Sequence, residues 1–217
     1  MNKLLVSNII NLDSGKYILD FKNDKGIINT KGIVTLYLIN TKLKELTINL
    51  EDNSNLVVYK YDKLLSGNLD IIINENNNTE FNFNNAFTNE DNSSLKINNF
   101  IRGNNNESKI NIRNISNNNY SKIEINVDVL KNTINNIALE DLRGINNGGF
   151  IQIEPNIKCG SNEVIANHLT TIGTIDKDSV SYLMSKGIYE NTAKEILLKS
   201  FIYSNMDEYI KNLMGGD

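Results

Sequence analysis

Cys159 and His168 are the only cysteine and the only histidine of the chain, and they stand nine positions apart in IKCGSNEVIANHL. A thiolate and an imidazole are good ligands for transition metals and iron–sulfur centres. A shared metal–sulfur site is therefore one reading of the pair. The other is structural: a free Cys is commonly a small buried hydrophobe, and a His can simply end a sheet. The turn GSNE lies between them, and a chain doubling back there sets Cys159 near His168.

Composition narrows the setting in which such chemistry would occur. The 217 residues allow one good-sized core. A net charge of -4 gives no basic footprint for nucleic acid. No apolar run reaches membrane-spanning length, and MNKLLVSNIINLDSGK lacks the apolar core and cleavage site of a signal peptide. A single Cys cannot form an internal disulfide. Together these point to a cytoplasmic protein with no nucleic-acid or membrane partner. Asn makes up close to a fifth of the chain, a bias that AT-rich codon usage explains and that left-handed turns tolerate.

The elements that must position Cys159 and His168 are strands. From about residue 16 to 165 the apolar period is two, in segments such as GIVTLYLI, ELTINL, KINIRNI and KIEINVDV. They recur every ten to fifteen residues between Asn-rich turns, and no amphipathic helix interrupts them. This spacing fits a sandwich or a solenoid. The absence of obvious hairpin turns, such as Asn-Gly placed between paired strands, favours the solenoid, whose coils stack with Ile, Leu and Val inward.

The last forty residues change to a helical period. Asp176 is placed as an N-cap and Gly187 as a C-terminal stop, with Val180, Leu183 and Met184 on one face. Ala193, Ile196, Leu197 and Phe201 follow at helical spacing. Asn205 and Glu208 form a capping-box pair ahead of Tyr209, Ile210 and Leu213. The expected organisation is a β core over residues 1–175 and a helical segment over 176–217. The helices either cap the open end of the solenoid or present an apolar stripe to a partner.

The region from about 142 to 201 resembles the SufB/SufD family of Suf-type iron–sulfur cluster assembly. GGFIQIEP resembles its glycine–phenylalanine strand. ANHLTTIGTIDKDSVSYLMSKGI is similar to its principal motif through His168, Thr171, Gly173, Ile175, Asp176, Asp178, Tyr182, Leu183, Ser185, Gly187 and Ile188, and TAKEILLKSF to the helix that follows. Lys186 stands for the usual Arg, Leu169 for the Glu typical of SufB, and Ala166 for the Cys frequent in SufD. The family's N-terminal helical domain has no counterpart in the sequence.

The resemblance implies a right-handed parallel β-helix followed by a small helical segment. It implies a non-enzymatic scaffold carrying a transient iron–sulfur cluster at a subunit interface, with His168 at that interface. One Cys per chain cannot hold a cluster alone, so ligand counting points to a dimer. That dimer is either homodimeric or formed with a SufB/SufD-like paralogue, with Cys159, His168 and Glu163, and also Glu154, as candidate donors. The family's helical part binds SufC, an ABC-type ATPase, which places Tyr182, Met184, Ile188 and Phe201 on the docking surface. The chain has no G-x-x-x-x-G-K-[ST] loop of its own. Two other readings are an interaction or structural module and, less favoured, a carbohydrate-binding solenoid. The second would use paired carboxylates, but Glu51-Asp52 and Glu140-Asp141 read as solvated turns.

Overall fold

Alternating strands of this kind bury one face each, and here they do so against one another. The computed structural model, which describes residues 2–215, is a parallel β-solenoid followed by three helices. All pairings between named strands are parallel. One sheet stacks β1 (Asn2–Val6), β3 (Gly15–Phe21), β5 (Ile33–Ile39), the first halves of β7 (Asn55–Glu75) and β8 (Glu80–Ile101), β9 (Glu107–Asn117), β11 (Asn136–Asn147) and β13 (Val164–Gly173). The other stacks β2 (Ile9–Leu12), β4 (Lys25–Thr30), β6 (Glu45–Leu50), the second halves of β7 and β8, β10 (Tyr120–Val129) and β12 (Phe150–Cys159).

The coils lengthen along the chain. Lys3 pairs with Ile18, fifteen residues on, whereas Lys109 pairs with Leu139, thirty on. In β10 the inward residues Ser121, Ile123, Ile125, Val127 and Val129 are all buried and their neighbours are not. The same alternation in the other coils fills the interior between the two sheets with Leu, Ile, Val and Phe.

The abundant Asn residues have two structural uses. All seven non-glycine residues with positive φ among those described are Asn, because its short polar side chain tolerates the left-handed region. Four of them, Asn53, Asn78, Asn105 and Asn135, stack at one corner with amide-to-amide bonds of 3.0, 2.9 and 3.1 Å. A second ladder, Asn11–Asn29–Asn49–Asn74, runs up the outer face at 2.7–2.8 Å.

The helices are α1 (Lys177–Ser185), α2 (Glu190–Tyr203) and α3 (Glu208–Gly215). Asp176 caps α1 through the Ser179 N–H, and Gly187 (φ 88°) ends it as expected. The cap of α3 is Asp207, whose Oδ1 accepts from Ile210 N–H at 3.0 Å. Asn205, read from sequence as that cap, instead donates to the backbone oxygens of Asn85 and Asn111 on the sheet. This ties the chain down before α3 begins. The helices do not cap the solenoid's end. Through Ile202, Met206 and Ile210, α2, the turn after it and α3 pack on the outer face of the first sheet, against Tyr37, Tyr61, Ala86 and Ile115. Tyr37 donates to Asp207 at 2.6 Å. Among the described residues no helix is long and apolar enough to cross a membrane.

Candidate functional site

With the helices on its side, the solenoid ends in two uncovered strands. Among the described residues β12 pairs only with β10, and β13 only with β11. Each therefore presents a free edge of backbone N–H and C=O groups. His168 lies at the middle of β13, exposed, and Cys159 is the exposed last residue of β12. Glu163 is exposed in the turn between the two strands, its N–H donating to Ser161 Oγ at 3.2 Å.

The return at GSNE is a corner, not a hairpin, because β12 and β13 belong to different sheets. His168 stands four residues past Val164, about 13 Å along the strand at the usual rise. One chain thus carries Cys159 and His168 on the same terminal coil without bringing them side by side. Among the described residues no group of three His, Cys, Asp or Glu converges to hold a metal ion. Glu154 points outward and is engaged by Lys122 at 3.0 Å, away from the interior-facing row.

Register shows which way the site residues point. His168 pairs with Glu140, and Cys159 pairs with the buried Val129. Both continue rows that face the interior. The His168 row runs Leu36, Val58, Phe83, Ile110, Glu140, His168. Four apolar core residues are followed by a carboxylate and an imidazole at the open end.

Glu140 is the residue that sequence reading missed. It is not in a solvated turn: Glu140-Asp141 lies within β11, and Glu140 is 3% exposed between the core residues Ala138 and Leu142. Among the described residues neither of its carboxylate oxygens has a hydrogen-bond partner. Burial alone pushes its carboxyl up to about 7. The signal was present as an acid on the apolar phase of NIALEDL. Its neighbour Asp141 does face outward, where Arg113 (2.8 Å) and Arg143 (2.7 Å) engage it. Arg113 also reaches Ser204 at the end of α2 at 3.0 Å, linking sheet to helix.

The expected docking residues divide into two environments. Tyr182 and Met184 on α1 are exposed at 61% and 46%. Ile188 is half-buried in the α1–α2 connection. Phe201 is half-buried and packs into the cluster beneath α2, so much of its ring is committed inside the molecule. Beside Met184, a cleft of about 600 Å³ opens between α1, α2 and the β11–β12 corner, lined also by Asn147, Ile175, Val180 and Lys194.

The family model for the SUF system FeS cluster assembly SufBD core domain matches residues 41–201, roughly three quarters of the chain. The match takes in the strands from β6 through β13, α1 and most of α2. No curated protein matches the chain.

Proposed function

The chain belongs to the SufBD core family of the SUF iron–sulfur cluster assembly system, and we propose that it is a non-enzymatic scaffold subunit. In this reading a nascent cluster is held at the terminal coil, between two subunits that meet there. The observation that carries it is the terminal coil itself: a free strand edge with the lone His168 in its interior-facing row. Exposed Ile165 (64%), Leu169 (50%) and Ile172 (41%) line the same strand. A free edge with apolar flanks favours strand addition from a second chain. A second copy would double the donors without any change within one subunit.

ATP hydrolysis falls to a SufC-like ABC ATPase docked on the C-terminal helices. Tyr182 and Met184 support that surface, being large apolar side chains left in solvent. Deleting the helices would uncover the apolar face beneath them, so point variants are the better probe. The double variant Tyr182→Ala/Met184→Ala should keep its fold and lose retention of the ATPase in a pull-down; full retention would refute the docking surface. Anaerobic reconstitution with iron and sulfide tests the site. Wild type should develop cluster absorbance, and His168→Ala should lose most of it. Unchanged absorbance in both His168→Ala and Cys159→Ser would sink the ligand assignment.

A further inference from the structure

The solenoid interior holds other acids, and each has partners. Asp62 is paired with the buried Lys60 and accepts from Thr41 N–H at 3.1 Å. Glu75 accepts from Thr79 at 3.1 Å and Asn99 at 2.8 Å. Among the described residues, Glu140 alone of these three acids has both oxygens unpartnered. It is also the one in register with the chain's single histidine, one strand from the open end. A buried carboxylate without a partner is costly unless something pairs with it.

We infer that Glu140 and His168 form a ferrous-ion site of one carboxylate and one imidazole per chain, completed by the same pair from a second copy. This rests on the scaffold reading above and names what its terminal coil takes: iron as the ion, held by oxygen and nitrogen donors. Neighbouring strands in register put the two Cα atoms about 4.8 Å apart with side chains on the same face, within reach of one ion. Carboxylate with imidazole is the donor type of non-haem ferrous sites, whereas thiolates select clusters and softer ions. Cys159 ends β12 before the corner, whereas His168 stands about 13 Å along β13 beyond it, and Cys159 takes no part in this site. Two donors per chain are too few for a stable site, and a two-fold axis at the free edge supplies two more.

The test is an anaerobic titration of the full chain with ferrous ion, followed by calorimetry, alongside absorbance with cobalt(II) as a spectroscopic stand-in. Wild type should bind one ion per two chains. Glu140→Gln and His168→Ala should each weaken binding at least about tenfold, and Cys159→Ser should leave it unchanged. The cobalt complex should lack a thiolate charge-transfer band. Thermal melts of Glu140→Gln, which should be no lower than wild type, establish that the variant is folded. Wild-type ferrous affinity in folded Glu140→Gln overturns the inference, as does a thiolate band lost in Cys159→Ser. If the wild-type chain still forms a cluster with iron and sulfide in either case, the scaffold reading stands and only the ferrous site falls. If no cluster forms and His168→Ala binds iron as wild type does, both fall.

Discussion

Glu75 shows what a buried acid does to this protein when it is fully hydrogen-bonded. Burial holds its carboxyl above the ordinary carboxylate range, while bonds from Ser108, Asn99 and Thr79 pull the other way. The folded state therefore holds the proton more tightly than the unfolded chain. That contribution is present below the unfolded-state value of about 4.3 and is lost as pH rises through the folded-state value. Glu75→Gln keeps the shape and removes the buried charge. Its melting midpoint should exceed wild type by at least about 2 °C at pH 8 and match it at pH 4. A deficit at pH 8 would show that the charged form is favoured inside. The acids also mark the limit of sequence reading at this scale. His168 stood out because it is unique, and its place in the family motif gave it a role. Glu140 was hidden because an acid beside an acid reads as surface, and only its phase in an alternating strand says otherwise.

Turns and caps decide where the strands and helices begin. Asn105 sits at φ 57° inside the corner ladder, bonded to Asn78 and Asn135. Asn105→Ala should cost roughly 1–2 kcal/mol, the price of a left-handed alanine, and Asn105→Gly distinctly less, since glycine accepts that backbone. Urea unfolding of the two variants checks the order; equal losses would mean that the ladder bonds, not the backbone, dominate. Asp207 carries two jobs at once: it caps α3 and accepts from Tyr37 on the sheet. Asp207→Ala should lower stability by about 1–3 kcal/mol. Tyr37→Phe, which spares the cap, should lower it less. Asp176 and Gly187 were legible as helix ends because cap chemistry is local. The cap of α3 was not, because Asn205 is drawn off by the sheet, a tertiary contact that no local pattern contains.

The solenoid follows from strand period, Asn-rich corners and the absence of hairpin turns, all local features. Where the helices go does not follow from them. Their apolar faces fit a solenoid end as well as a solenoid side, and the choice is made by outward Tyr37, Tyr61, Ala86 and Ile115, which break the polar exterior of the first sheet. By packing there the helices leave the terminal coil open, and that openness makes an interface available next to His168. Leu169→Lys places a charge on this free edge, where it resists strand addition. If two copies join at this edge as proposed, wild type should sediment as a dimer and the variant as a monomer at the same concentration. A dimer that survives Leu169→Lys unchanged would move the interface elsewhere.

In the function proposed for it, this coil carries an iron–sulfur cluster during assembly. The most direct test is anaerobic co-purification of the full chain with the ABC ATPase proposed as its partner, followed by iron and acid-labile sulfide analysis. Iron and sulfide should be present together on the wild-type complex and both largely absent from the His168→Ala complex. A wild-type complex free of both, or a His168→Ala complex loaded as fully as wild type, would contradict it.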